Sequence, residues 1–213
     1  MEPIGNLLKK PRIDLANLQD YLIEIIYNKI NPNAILYGGT AIWRCYNGSR
    51  FSEDIDIYLS TDSLEELVNS LPHYGLKLLS RNRELKSIIT VSYGTASVLV
   101  EAKEGTGENT VLPYTRIDGS TMMVQVLSPT ELMVRKVEAY QGRRYIRDIY
   151  DLFILTRFLD RHDFTVRSRL QAFLKNVEEP IDEPVLRSLI YSGKNDFTFR
   201  GLIGYIARWL NEV

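Results

Sequence analysis

Two aspartates, Asp54 and Asp56, alternate with isoleucines at the start of a short apolar segment, 55–59, that predicts a buried strand. Successive residues of a strand point to opposite faces, so the two carboxylates share one face while Ile55 and Ile57 face the core. Adjacent carboxylates repel each other unless a cation neutralises them, and Mg²⁺ binds carboxylate oxygens together with substrate phosphates. The pattern indicates a platform for a divalent metal; the alternative is a pair of solvated acids at a strand edge.

Three small residues, Gly38, Gly39 and Thr40, stand where a predicted strand, 34–37, gives way to a predicted helix, 40–46. Glycines let the backbone approach a phosphate closely, and a helix N-terminus supplies free N–H groups and positive potential. Thr40 adds a hydroxyl donor. Thirteen residues (41–53) separate this turn from the aspartate pair. The turn therefore predicts a phosphate-binding loop; the alternative is a tight turn that needs glycine only for its conformation.

A third acid, Glu101, lies in another predicted strand, 97–103, on the same face as Lys103 and opposite a run of apolar residues. Burying an acid there costs free energy unless it is paired or binds a metal. Two aspartates and a glutamate on adjacent strands can hold two divalent ions, which clamp the attacking and leaving oxygens of a nucleotidyl transfer. We therefore expect the carboxylates of Asp54, Asp56 and Glu101 to converge on Mg²⁺ or Mn²⁺.

The stretch from Gly38 to Asp56 contains Gly-Gly-Thr-Ala and, after eight residues, Arg-Phe-Ser-Glu-Asp-Ile-Asp. It resembles the first motif of the AbiEii/AbiGii-type nucleotidyltransferases, a branch of the polymerase-β-like superfamily. The best-known members are toxins of type IV toxin–antitoxin and abortive-infection systems. The resemblance extends over about residues 34–155.

Two later stretches resemble further motifs of this family. Lys86 is followed by twelve residues and then by Leu99-Val100-Glu101-Ala102-Lys103, in which Leu99 stands where the family has a lysine. The third stretch is Lys136 followed by Arg147-Asp148-Ile149-Tyr150-Asp151-Leu152.

The resemblance implies a metal-dependent enzyme that moves a nucleoside monophosphate from a nucleoside triphosphate to an acceptor hydroxyl. The residues it implies for catalysis are Asp54, Asp56, Glu101, Asp148 and Asp151. Those it implies for nucleotide binding are Gly38, Gly39, Thr40, Ser52, Lys86, Lys103 and Lys136. It also implies that the protein is the toxin of a type IV toxin–antitoxin pair and that it acts on tRNA or protein. The cognate antitoxin of such a pair need not bind the toxin directly.

Asp148 and Asp151 are three residues apart and so share one face of a predicted helix. Arg144 and Arg147 each precede one of them by four residues, so an exposed, salt-bridged helix explains the spacing. The resemblance instead places both acids on a catalytic cleft, where Asp148 would orient or deprotonate the acceptor hydroxyl.

Residues 135–169 hold nine basic and five acidic residues, although the whole chain has a net charge of −1. A solvated helical surface explains such an excess, and so does contact with RNA phosphates. A protein acceptor would not require it, so we expect the acceptor to be RNA, with tRNA the first candidate by resemblance. The basic residues concerned are Arg135, Lys136, Arg143, Arg144 and Arg147.

The pattern of elements predicts an α+β fold. Residues 1–127 combine helices at 13–31, 40–46 and 63–71 with several short strands, which suits a nucleotidyltransferase-like mixed sheet with flanking helices. Residues 128–213 are helical and form a C-terminal domain that closes the cleft. The helices predicted there are 129–141, 145–160, 165–176, 183–191 and 199–211.

Composition excludes several other classes. The longest apolar runs are far shorter than the roughly 20 residues of a membrane span, and the N-terminus lacks the character of a signal peptide. One cysteine and two histidines leave little for disulfides, a zinc site or a Ser-His-Asp mechanism. A cytoplasmic protein is expected.

Two other functions remain open. A glycosyltransferase also uses Asp-x-Asp with a metal, but it needs a longer nucleotide-binding unit than the one strand and two helices that precede Asp54. The absence of the family's lysine at Leu99 favours a non-catalytic nucleotide-binding module. The presence of all three acids argues against it.

Overall fold

The structure is a computed structural model that describes residues 2–82, 87–193 and 196–212. The chain divides into two compact units. The first unit comprises Met1–Cys45 and Ser52–Leu127, and the second comprises Tyr46–Phe51 and Ser128–Val213. A six-residue segment, 46–51, therefore belongs with the C-terminal half of the chain although its sequence neighbours belong to the first unit.

The first unit contains a mixed sheet, as predicted. The described strands are β1 (Ile35–Tyr37), β2 (Ile55–Tyr58), β3 (Lys77–Arg81), β4 (Ile88–Tyr93), β5 (Ala96–Lys103), β6 (Asn109–Thr115) and β7 (Thr121–Leu127). They form one sheet in the order β3-β4-β5-β2-β1-β7-β6. The pairs β1/β7 and β2/β5 are parallel and the other pairs antiparallel. The acid-bearing strand β2 thus lies near the centre of the sheet.

Helices accompany this sheet. Those described in the first unit are α1 (Lys10–Ile25), α2 (Gly38–Cys45) and α3 (Thr61–Ser70). Ser60 caps α3, because its side chain accepts a hydrogen bond from the Ser63 N–H. The helix predicted at 13–31 starts three residues earlier and passes after Ile25 into a π-helix, Ile26–Ile30.

Strand alternation separates core from site. Ile55 and Ile57 are fully buried, while Asp56 between them is half-exposed. Along β5, Val98 and Val100 are buried and Glu101 is half-exposed. The predicted assignment of faces for both strands is therefore confirmed.

The second unit is helical. Its described helices are α4 (Pro129–Arg143), α5 (Ile146–Leu155), α6 (Phe164–Lys175), α7 (Leu186–Leu189) and α8 (Phe199–Asn211). Ser128 caps α4 by accepting from the Glu131 N–H. The predicted helix 145–160 ends at Leu155, where the Thr156 hydroxyl donates to the Phe153 carbonyl at 2.7 Å and competes with helix continuation. None of the helices in the described parts of the chain is long and apolar enough to cross a membrane.

Backbone hydrogen bonds hold the segment 46–51 in the second unit. The Phe51 N–H donates to the Leu189 carbonyl at 2.9 Å, and the Tyr191 N–H donates to the Ser49 carbonyl at 3.1 Å. Arg50 forms an isolated antiparallel bridge with Ile190. The residues just before the aspartate pair are thereby anchored at the end of α7.

Candidate active site

Asp56 and Glu101 are direct neighbours on the sheet. β2 and β5 run parallel, and their register places Asp56 opposite Glu101. Neighbouring strands lie about 4.8 Å apart, so the two side chains stand side by side on one face. Asp54 precedes β2 by one residue and is exposed. The strand pairing thus brings the acid of the second motif beside an acid of the first.

The three carboxylates do not form a preassembled metal cluster. Across residues 2–82, 87–193 and 196–212, no three acid, histidine or cysteine side chains are close enough together to hold an ion. Glu101 instead forms an ion pair with Lys103, which lies two residues along the same strand face. The expected convergence is not observed, because a neighbouring lysine already neutralises one of the three acids.

Gly38 connects the strand end directly to Asp56. Its φ is +74°, a conformation that residues with a side chain rarely adopt. The preceding residue, Tyr37, pairs with Asp56 in the antiparallel β1/β2 register. A Cβ on Gly38 would collide with the Asp56 Oδ2 atom. Both the backbone conformation and the close approach of a carboxylate therefore require glycine here.

We expect Gly38→Ala to lower triphosphate affinity and nucleotidyl transfer at least about tenfold, because it displaces the Asp56 carboxylate and strains the turn by about 1–3 kcal/mol. Titration calorimetry measures the affinity, pyrophosphate release measures the transfer, and thermal unfolding measures the strain. The matched control is Gly142→Ala in α4, where an added Cβ meets nothing within 4 Å. That variant should bind normally and be equally or more stable. Wild-type binding by Gly38→Ala would contradict the role of this turn.

Thr40 positions the aspartate segment. It is fully buried, and its hydroxyl donates to the Asp54 carbonyl at 2.5 Å. The hydroxyl therefore joins the glycine turn to the aspartate pair in this structure, where a direct phosphate contact was predicted. Gly39 is also buried, and the Ser52 carbonyl accepts from the Gln19 side chain at 2.9 Å. Lys86, which was also predicted to bind the nucleotide, lies outside the described residues.

Arg44 anchors the other end of α2 and was not identified from the sequence. It is almost completely buried and pairs with Asp20 at 3.1 Å. It also donates to the Thr115 carbonyl at 3.1 Å and stacks over the Trp43 ring, 3.7 Å from its centroid. Burial raises the pKa of Asp20, and Arg44 opposes that rise. This pair holds the helix whose first residues form the glycine turn.

Asp151 is the centre of a buried ion network in the second unit, formed by Arg50, Lys136, Arg143, Asp148 and Asp151. Arg50 binds Asp151 through two hydrogen bonds, 2.7 Å from Nε to Oδ1 and 2.6 Å between Nη2 and Oδ2. The Lys136 ammonium lies 2.6 Å from the same carboxylate. Asp151 is fully buried, so these two cations replace the solvent that would otherwise stabilise its charge.

Asp148 completes the ion network. Arg143 binds it through two hydrogen bonds of 2.9 and 2.8 Å, and Lys136 lies 3.4 Å away. Asp148 is fully buried, whereas the Arg143 side chain is 40% exposed. Lys136, predicted as a phosphate ligand, is itself buried between the two aspartates.

The i,i+4 ion pairs suggested by the spacing do not form. Arg144 pairs with Glu178, and the Arg147 guanidinium lies over the Tyr145 ring, 5.4 Å from its centroid. Because both aspartates are buried and pair with other cations, the interpretation of this helix as an exposed, salt-bridged surface is wrong.

The Asp151–Arg50 pair favours its charged form on both sides. Burial alone would raise the pKa of Asp151, but Arg50 and Lys136 outweigh it, so the pKa of Asp151 lies below its ordinary value. The pKa of Arg50 is correspondingly raised; burial opposes the charged form, and Asp151 more than offsets it. Arg50 was not assigned a role from the sequence, because its partner lies 101 residues further along the chain.

Comparison with known proteins identifies the family. The family model described as "Nucleotidyl transferase AbiEii toxin, Type IV TA system" matches residues 21–198. This chain belongs to the AbiEii family. The match extends well beyond the 34–155 range covered by the motifs and includes most of the second unit. As an AbiEii protein it is a nucleotidyltransferase, which excludes the glycosyltransferase and the non-catalytic module.

Solved structures share the fold of this AbiEii protein. MenT4, a nucleotidyltransferase toxin from Mycobacterium tuberculosis, superposes with a TM-score of 0.64 at 14% identity, over 95% of this chain and 85% of MenT4. A crystal structure described as "putative nucleotidyltransferase from H. pylori" (Helicobacter pylori) superposes with a TM-score of 0.55 at 19% identity, over 79% of this chain and 78% of that one. These likenesses establish a nucleotidyltransferase fold. No curated protein sequence matches the chain significantly.

Proposed function

We propose that this chain is a divalent-metal-dependent nucleotidyltransferase that transfers a nucleoside monophosphate from a triphosphate to the 3′ end of a tRNA. It would act as the toxin of a type IV toxin–antitoxin pair in the cytoplasm, where both substrates occur. The observation that carries the proposal is the register of β2 and β5, which sets Asp56 beside Glu101 next to the Gly38 turn. The AbiEii match supplies the class of reaction.

The glycine turn suits a triphosphate. The first turn of α2 begins at Gly38, and the backbone N–H groups of such a turn can donate to phosphate oxygens. Lys103 is 56% exposed and lies on the same strand face as Glu101, so it can move between the acid and a phosphate. Ser52, Lys86 and Lys136 remain ligands proposed from the family motifs alone.

The donor set fits Mg²⁺ or Mn²⁺. Asp54 is exposed, Asp56 and Glu101 are half-exposed, and all three offer the hard carboxylate oxygens that these ions prefer. These three side chains would hold the metal, with Glu101 released from Lys103. A bound divalent ion would neutralise triphosphate charge and polarise the reacting phosphoryl group.

The reaction is a substitution at the α-phosphorus. The acceptor hydroxyl oxygen forms a new bond to that phosphorus, the bond to the bridging oxygen of the β-phosphate breaks, and pyrophosphate leaves. The hydroxyl proton passes to solvent water. The chain's own contribution is to bind the phosphates at the glycine turn and to hold Asp54 through Thr40.

Asp148 and Asp151 contribute to the proposed site by positioning cationic side chains. Their carboxylates are fully buried and bound by Arg50, Lys136 and Arg143, so in this structure they hold these cations in place. A direct contact between Asp148 and the acceptor hydroxyl, which the resemblance implies, requires the half-exposed Arg143 to move away. Arg50, a member of this ion network, lies four residues before Asp54 in the sequence.

Arginines beside Tyr145 support an RNA acceptor. The guanidinium groups of Arg143 and Arg147 each lie 5.4 Å from the Tyr145 ring centroid. Such a cluster can contact phosphates and stack on unpaired bases. It is smaller than the basic cluster predicted from the sequence, because Lys136 is buried and Arg144 is paired with Glu178. Arg143 is itself hydrogen-bonded to Asp148, so Arg147 is the main RNA contact that we propose here.

The test is incubation of the enzyme and Mg²⁺ with α-labelled triphosphates, total cellular RNA and, separately, total protein. We expect the label to enter small RNA. Arg147→Gln should weaken RNA binding and reduce its salt dependence by about one counterion, because it removes one phosphate contact. Arg200→Gln, an exposed change in α8, is the matched control. Label that enters protein but never RNA would overturn the RNA acceptor while leaving nucleotidyl transfer intact.

A further inference from the structure

A cavity lined by tyrosines lies at the opposite end of β5 from Glu101. Its volume is about 520 Å³, and its lining includes Asp14, Asn17, Tyr21, Tyr74, Tyr93 and Thr95. We call it the tyrosine cavity. The turn between β4 and β5 contributes Thr95, while Glu101 lies about 16–20 Å further along the strand at 3.3 Å per residue. The cavity is therefore separate from the proposed metal ligands, and all its lining residues belong to the first unit.

Local structure explains why these side chains meet. Asp14, Asn17 and Tyr21 follow one face of α1 at helical spacing. The Tyr21 hydroxyl donates to the Tyr74 carbonyl at 3.3 Å, and the two rings make an edge-to-face contact with centroids 6.3 Å apart. This contact fixes the positions of Tyr21 and Tyr74, which form two walls of the tyrosine cavity. Tyr93 stands at the end of β4 and is 60% exposed, so its ring is accessible to a ligand.

The charge of the tyrosine cavity selects the ligand. Asp14 supplies the one carboxylate among the described lining residues, and no lysine or arginine is among them. Within the described chain, no hydrogen bond or ion pair engages the Asp14 carboxylate. A nucleotide or another phosphorylated ligand would lack a cation to bind its charge. A positively charged ligand gains from the carboxylate and from the negative faces of the aromatic rings.

We propose that the tyrosine cavity binds an organic cation, an ammonium or guanidinium group. Asp14 pairs with the charge, Tyr21, Tyr74 and Tyr93 surround it, and Asn17 and Thr95 offer oxygen acceptors for its N–H groups. The group can belong to a small free molecule or to a lysine or arginine side chain of a partner protein. The inference is independent of the proposed reaction, since the cavity and the metal ligands share no residue.

The experiment titrates the full-length protein with two pairs of probes, followed by NMR chemical-shift changes at the lining residues. Choline is compared with its neutral isostere 3,3-dimethyl-1-butanol, and Nα-acetylarginine amide with Nα-acetylcitrulline amide. We expect each cation to bind at least about tenfold more tightly than its neutral partner. Equal shifts for charged and neutral probes, or shifts located away from the cavity, would overturn the proposal.

Variants test the two components separately. Asp14→Asn should weaken cation binding about five- to tenfold, because it removes the negative charge. Tyr93→Leu should weaken it about threefold, because it removes one aromatic face. Tyr93 is exposed, so its replacement should leave folding intact. Asp56→Asn should leave cation binding unchanged, which distinguishes this site from the catalytic one. Unaltered binding by both Asp14→Asn and Tyr93→Leu would refute the assignment.

A further comparison distinguishes the source of the cation. An N-acetylated, C-amidated peptide with one arginine between glycines is titrated beside Nα-acetylarginine amide. Tighter binding of the peptide supports a protein partner, and equal affinity supports a free small cation. Peptide binding that persists when the arginine is replaced by citrulline would count against recognition of the charge.

Discussion

Asp56→Asn is expected to lower kcat/KM for nucleotidyl transfer by about a hundredfold or more and to abolish the gain in triphosphate affinity that Mg²⁺ provides. The amide has nearly the size of the carboxylate but lacks its charge, so it binds a divalent ion poorly. The loss of metal-assisted charge stabilisation amounts to several kcal/mol, and each 1.4 kcal/mol is about a factor of ten. Pyrophosphate release and titration calorimetry with and without Mg²⁺ measure the two effects.

A matched control separates this effect from a general change in charge. Glu66 is exposed on α3, so Glu66→Gln removes one negative charge and should leave transfer unchanged. Glu101→Gln should resemble Asp56→Asn, because the register of β2 and β5 makes the two acids neighbours. If Asp56→Asn retained wild-type transfer and the full Mg²⁺-dependent gain, the metal site would lie elsewhere.

Asp151→Asn is expected to lower the free energy of unfolding by about 3–5 kcal/mol. The substitution leaves Arg50 and Lys136 buried without the carboxylate that both bind, and removing one partner of a buried ion pair costs about that much. Urea denaturation measures it. Asp196→Asn, an exposed change in the same unit, should stay within about 0.5 kcal/mol of wild type. Equal stabilities of the two variants would contradict the importance of the ion network.

The same carboxylate predicts a pH dependence. Because the pKa of Asp151 is lower in the folded than in the unfolded protein, its stabilising contribution is complete above about pH 4. It is lost as the pH falls from there toward the folded-state pKa. Wild type should therefore lose stability faster than Asp151→Asn below pH 4, so that their unfolding curves approach each other. A constant difference between them down to about pH 2 would contradict the lowered pKa.

The short strands and their faces could be predicted from sequence. Asp56 and Glu101 each alternate with buried aliphatic residues, and a period of two assigns each acid to the exposed face of its own strand. The helices after residue 128 were predicted because helical spacing and caps such as Ser128 are also local. The nucleotidyltransferase assignment depended on the spacing of the motifs, and the family match confirms this assignment.

Side-chain pairing was predicted poorly where several partners were available. Spacing suggested that Asp148 pairs with Arg144 at i,i+4, whereas the structure pairs it with Arg143 and Lys136. Likewise, Glu101 was expected beside Asp54 in a metal cluster and is bound by Lys103. Sequence spacing shows which side chains can meet, but the lowest free energy depends on which charges are buried together.

The acids, the glycine turn, the class of fold and the family were determined by the sequence alone, because each depends on the identity and spacing of residues within one segment. The tertiary structure decided which segments lie together. Arg50 meets Asp151 across 101 residues, and the tyrosine cavity combines α1 with the turn between β4 and β5. Such contacts form because burying apolar surface brings distant segments into one core, and their polar groups must then pair with the neighbours present there.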